Sequence, residues 1–174
     1  KVVLRNAKDI NRGTHAKRTV SMWFKVDNVG ANRKQVVYEE GGGLRGLNAY
    51  VKDDLLYFGG WNTPESKWSG SWKSTNKVSS GKWHHMALVL DGQRKVQKDS
   101  LIAYLDGNKV AQMDASQLWS HAGVSLGNVS GATKFHDGVS RSGQSYGLDG
   151  AVDDLRIFNN ALTGTQVNKL ADFM

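Results

Sequence analysis

The chain of 174 residues and 19.1 kDa has the size of one domain able to bury a core of its own. Hydrophobic residues at 39%, 20 glycines against one proline and no cysteine exclude collagen-like, low-complexity and broadly disordered chains. They also exclude any disulfide framework, thiolate zinc site or cysteine nucleophile. The net charge of +7 lies wholly in residues 1–34, where nine lysines and arginines stand against Asp9 and Asp27. Such a segment is either a solvated face or an attractor for a polyanion. An acidic polysaccharide suits it better than nucleic acid, because its only aromatic residues are Trp23 and Phe24.

In chain order, period-2 alternation recurs and helical periodicity is nearly absent. Residues 19–26 place Val20, Met22, Phe24 and Val26 on one face and Thr19, Ser21, Trp23 and Lys25 on the other, as a half-buried strand requires. Further strands are predicted over 35–40, 48–51, 55–59, 83–90, 101–105, 109–113, 124–128 and 150–158. Lys52-Asp53-Asp54 and Asp106-Gly107-Asn108 read as tight hairpin turns. The glycine-rich stretches 41–46, 59–60 and 142–150 read as loops, and so does 61–74. A capping box over Thr163 to Gln166, with Val167 and Leu170 on one face, predicts one short C-terminal helix. Many short strands with one helix predict an all-β antiparallel jelly-roll sandwich spanning 1–174. The longest apolar runs, 86–90 and 101–105, are far shorter than the roughly 20 residues of a membrane-spanning helix, so no membrane insertion is expected.

Two catalytic patterns occur in the wrong context. Gly41, Gly43 and Gly46 have the spacing of a dinucleotide-binding loop, yet a strand and not a helix follows. Gly143-Gln144-Ser145-Tyr146-Gly147 matches a nucleophile elbow but lacks its strand and helix flanks. Glu39-Glu40 and Asp153-Asp154 are adjacent pairs, which a strand turns to opposite faces, so neither forms a catalytic carboxylate pair within one strand. His84-His85 is separated in the same way.

The order of several motifs resembles the laminin G-like, concanavalin A-like group of jelly-roll modules, to which the pentraxins also belong. The motifs are Asp9-Ile10-Asn11 before Arg18 to Phe24; Tyr38-Glu39-Glu40-Gly41-Gly42; Arg45 to Asn48; Gly81-Lys82-Trp83-His84-His85 running to Asp91-Gly92; Tyr104 to Gly107; and Gly150 to Leu162. The resemblance implies a module of a larger secreted or cell-surface protein, here lacking its first strand, with neighbouring modules of that protein among its partners. Members often carry a structural calcium where the N-terminal turn meets the last strand, which implies Asp153. Asp149 and Asp137 are further oxygen donors on nearby loops.

Three tryptophans, Trp61, Trp68 and Trp72, fall within 12 residues of polar sequence. Indole faces stack on sugar rings while amides and hydroxyls bond the ring hydroxyls. Arg45, Asn48, His121 and His136 are the expected polar partners. The alternative is that the indoles pin a loop to the sheet. The expected function is therefore a non-catalytic carbohydrate-binding or adhesion module, with an oligo- or polysaccharide partner, acidic ones favoured. A calcium-dependent protein-binding domain and a polysaccharide-cleaving enzyme are the alternatives.

Overall fold

A computed structural model describes residues 1–172 and shows two antiparallel sheets packed face to face. The strands in chain order are β1 (Val2–Val3), β2 (Lys17–Val26), β3 (Gln35–Gly41), β4 (Arg45–Lys52), β5 (Leu55–Asn62), β6 (Trp68–Lys77) and β7 (Trp83–Asp91). They continue with β8 (Gln97–Leu105), β9 (Asn108–Ala115), β10 (Val124–Leu126), β11 (Lys134–Phe135), β12 (Gly138–Val139) and β13 (Gly150–Phe158). Helix α1 (Thr63–Ser66) interrupts the β5–β6 connection and α2 (Gly164–Ala171) follows β13. The first sheet runs β1-β10-β3-β4-β5-β6, the second β13-β2-β7-β8-β9, and β11-β12 form a separate hairpin.

The core follows from the alternation. Val20, Met22, Phe24 and Val26 of β2, with Met86, Leu88 and Leu90 of β7, meet Leu47, Ala49 and Val51 of β4 and Leu56 and Phe58 of β5, all buried. Each fully buried side chain of this size contributes about 1.5–3 kcal/mol. The predicted capping box closes α2: the Thr163 hydroxyl accepts from the Gln166 amide and the Gln166 side chain accepts from the Thr163 N–H. Val167 then packs on Ala87, Val89 and Tyr104 on the outside of the second sheet.

The departure that matters for the site is at residues 61–74. The stretch 61–74 is not a loop: Trp61 lies in β5, and Trp68 and Trp72 lie in β6, which pairs antiparallel with β5. Serine, glycine and lysine dilute the alternation of β6, an edge strand, and hide it. Gly59 and Gly60, read as loop glycines, are strand residues that make room for indoles. A Cβ at Gly60 would sit 2.6 Å from Trp68, and one at Gly59 would sit 1.9 Å from Trp72.

In β3 every residue is buried, because both faces are covered. The core lies on one side. On the other, residues 127–147 cross the outer face of the first sheet, packing Phe135 and Tyr146 against Val36 and Tyr50.

Candidate site on the outer face of the first sheet

The indoles of Trp61 and Trp72 lie side by side on this face, with centroids 5.9 Å apart and planes 23° from parallel. They lie flat because glycines stand beneath them: Cβ atoms at Gly46 and Gly70 would come within 2.9 Å of Trp61 and 2.2 Å of Trp72. Trp61 is fully buried and its Nε1–H donates to the Gly42 carbonyl at 2.9 Å. Trp72 is half-buried, and the ammonium of Lys134 stands 5.7 Å from its ring centroid. Beside it the rings of Tyr50, Tyr57 and His136 stack in sequence, with Tyr57 and His136 centroids 4.6 Å apart. The Tyr50 hydroxyl lies 2.6 Å from His136 Nδ1.

Trp72 also forms a wall of a shallow groove between β6 and β9, about 480 Å³ in volume, lined by Lys73, Asp99, Gln112 and Asp114. Its geometry is fixed by local bonds. Asp99 has a left-handed backbone (φ 57°), its N–H donates to Asp114 Oδ1 at 3.0 Å, and Ser71 Oγ donates to the Asp114 carbonyl at 2.8 Å. An indole with an amine, an amide and two carboxylates offers apolar surface, donors and acceptors to a polyhydroxylated ligand.

The sequence-predicted residues are distributed differently. Trp68 is buried in the sandwich core, with its Nε1–H donating to Ser71 Oγ at 3.0 Å. Trp61 and Trp68 therefore anchor, and only Trp72 presents indole surface. Asn48 is buried and its amide donates to Thr133 Oγ1 and the Lys134 carbonyl. Arg45 is committed to the Glu65 carboxylate and the Ser120 carbonyl. His121 is buried in an ionic network, while His136 is exposed on the stack just described. Lys73, Asp99, Gln112 and Asp114 were missed, because only the pairing of β5 with β6 and the approach of β9 bring them to Trp72.

The candidate calcium ligands are not brought together. Asp149 lies at the bend before β13 and Asp153 within β13, and both are exposed. Asp153 Oδ1 accepts the Asp154 N–H at 2.7 Å, and Asp137 pairs with Lys34 at 2.7 Å. Among the described residues no three histidine, aspartate or glutamate side chains gather for a metal ion. This donor set does not fit the six to eight oxygens that calcium takes.

Two buried acids were legible only as a strand motif. Glu40 accepts Arg18 Nη1 at 2.5 Å and His121 Nε2 at 2.9 Å, and all three side chains are buried. His121 Nδ1 faces the Trp119 carbonyl at 2.7 Å, so both ring nitrogens face acceptors and the imidazole is held as a cation. Burial opposes that charge, but the hydrogen bond and charge of Glu40 outweigh it and raise the His121 pKa. Burial likewise pushes the Glu40 carboxyl up, and Arg18 and His121 overcome it to hold the carboxyl low. Glu39 points to the other face, beneath residues 127–147. Burial raises it to about 7, against the opposing hydrogen bond from Ser125.

Because the Glu39 pKa is raised on folding, its ionisation costs stability that is fully retained below about pH 4.5 and lost as pH rises to about 7, on the order of 3 kcal/mol. Glu39→Gln is expected to melt higher than the parent at pH 8 and to match it near pH 4.5. Equal melts at both values would show that the Glu39 carboxylate is solvated.

A model of the concanavalin A-like lectin/glucanases superfamily, Laminin_G_3, matches residues 4–168. The chain belongs to this superfamily. Its jelly roll is similar to the heptameric SAP-like pentraxin from Limulus polyphemus, at 18% identity and TM-score 0.63 over 93% of this chain and 72% of that one. It is also similar to the Ruminococcus gnavus IT-sialidase CBM40 bound to α2,3-sialyllactose, at 13% identity and TM-score 0.63 over 92% and 84% of the two chains. A third similar structure is the botulinum neurotoxin serotype D ligand-binding domain in complex with N-acetylneuraminic acid. The identity is 9% and the TM-score 0.66, covering 94% of this chain and 38% of that one. At these identities the likeness is one of fold, and the fold is lectin-like. No curated protein matches the chain by sequence.

Proposed function

We propose that this chain is a non-catalytic carbohydrate-binding module, secreted or at a cell surface, that seats a sugar ring in the groove walled by Trp72. The observation that carries the reading is the partly exposed indole beside Lys73, Asp99, Gln112 and Asp114, in a groove of the size that ligand pockets have. Solved neighbours of the same fold hold sialylated ligands, which supports a saccharide partner. The non-catalytic reading is supported by the place of the one carboxyl with a pKa near neutrality. Glu39 is 1% exposed and enclosed under residues 127–147, where no substrate oxygen reaches it.

Retention on immobilised oligosaccharides, neutral and acidic, tests this reading. On neutral oligosaccharides Trp72→Ala is expected to weaken retention at least about tenfold, equivalent to about 1.4 kcal/mol. Gly59→Ala should do the same by displacing the indole. Chelator is expected to leave retention unchanged. A parent that binds neutral oligosaccharides and a Trp72→Ala variant that binds them equally well would move the site elsewhere.

A further inference from the structure

A second cavity, about 440 Å³, lies between the N-terminal segment and the end of β13. Its walls are Lys8, Asp9, Thr14, His15, Lys17 and Asn159, none of which belongs to the Trp72 groove. Gly13 shapes one side, because a Cβ there would meet the Lys8 carbonyl at 2.8 Å and prevent the turn from closing.

The floor of the cavity is fixed before any ligand arrives. Arg18, held by Glu40, donates through Nη2 to the Asp9 carbonyl at 3.2 Å and to Asn159 Oδ1 at 3.3 Å. The Asn159 amide donates to the same Asp9 carbonyl at 3.1 Å. His15 is clamped by a pair of backbone bonds with Leu118, at 2.8 and 2.9 Å.

Within this frame several polar groups are left over. His15 is only 8% exposed, yet its Nε2 has no hydrogen-bond partner. A buried donor or acceptor without a partner costs about 1–3 kcal/mol, so such a group points to a missing ligand atom. Burial and the Arg18 charge lower the His15 pKa, so the ring is neutral and carries one N–H donor. The Lys8 and Thr14 side chains make no hydrogen bond or ion pair among the described residues. Lys17 is paired at the rim with Asp91 at 2.9 Å. The cavity lies within residues 1–34, the segment that carries the net charge of +7.

We infer that this cavity is a second saccharide subsite for an acidic sugar residue, taking its carboxylate on Lys8 and His15 and its hydroxyls on Asp9, Thr14 and Asn159. The mixed wall decides the ligand class. A bare dianion such as phosphate is repelled by Asp9, whereas a sugar with one carboxylate uses Asp9 as an acceptor for its hydroxyls. The inference rests on the carbohydrate reading proposed above but uses none of the same residues.

Backbone amide and imidazole NMR signals are followed as trigalacturonate, α2,3-sialyllactose, neutral lactose or inorganic phosphate is added to the parent, Lys8→Ser, His15→Gln and Trp72→Ala proteins. At least one acidic sugar is expected to shift the Gly13, Thr14 and His15 signals saturably. Its dissociation constant should rise at least about tenfold in Lys8→Ser and His15→Gln, rise with salt, and stay unchanged in Trp72→Ala. Lys8 is exposed, so its variant reports binding even if His15→Gln is destabilised. Acidic sugars that shift only the Trp72 groove, an unaltered constant in Lys8→Ser, or phosphate bound as tightly as the sugars would overturn the second subsite and leave the Trp72 reading standing. No shift at either place with any sugar would overturn both.

Discussion

Glu40→Ala is expected to destabilise the domain by about 3–5 kcal/mol, because it strands two buried cations, Arg18 and His121, without their shared carboxylate. For a chain of this length that corresponds to a fall in melting temperature of roughly 10 °C. The double variant Arg18→Met with Glu40→Leu removes one of the two cations along with the carboxylate, leaves His121 to become neutral, and should recover part of the loss. The pH dependence of the parent carries the same signature. Glu40, whose pKa is lowered, contributes stability that is present above the unfolded carboxylate range and lost as pH falls through its folded value. His121, whose pKa is raised, contributes stability that is present below about pH 6.5 and lost as pH rises through its folded value. A Glu40→Ala melt within about 2 °C of the parent would mean that water reaches the network.

The second large effect is at Trp61. Trp61→Ala should cost about 3–5 kcal/mol, since the indole is wholly enclosed and its N–H is bonded to Gly42. Its neighbour Trp72, partly exposed and with no bonded N–H, should cost clearly less. Chemical denaturation of the two variants measures the difference directly. Equal losses would show that Trp72 is as much a structural anchor as Trp61, and would weaken its assignment as a sugar platform.

The sandwich was legible because each core strand carries its own alternation, as β2 does from Val20 to Val26, and because Thr163 and Gln166 sit at capping-box spacing. Where a strand is covered on both faces the pattern gives no guidance. Glu39 and Glu40 read only as an adjacent pair turned to opposite faces, and the structure keeps that division while burying one under residues 127–147 and the other against Arg18. The tryptophan cluster was visible by composition, but its division into one partly exposed and two buried indoles was not. That division depends on Gly46, Gly59 and Gly60, which leave space over or under the sheet, and on the pairing of β5 with β6. The cavity at His15 had no local motif at all, since it joins residues 8–17 to Asn159 across nearly the whole chain.

Strand β13 forms one border of the second sheet, and its register with β2 breaks between Asp153 and Arg156, where Asp154 takes a left-handed backbone (φ 49°). An unbroken border strand offers a row of free N–H and C=O groups on which a like strand can dock. Here the break interrupts that row, and Asp153, Asp154 and Arg156 place charge along it. On the same side of the sandwich, β1 at the border of the first sheet is two residues long. Copies held side by side along this side of the sandwich, as in a tandem array or crowded on a surface, thus meet without a template for strand exchange, and each is able to present its grooves as a separate unit.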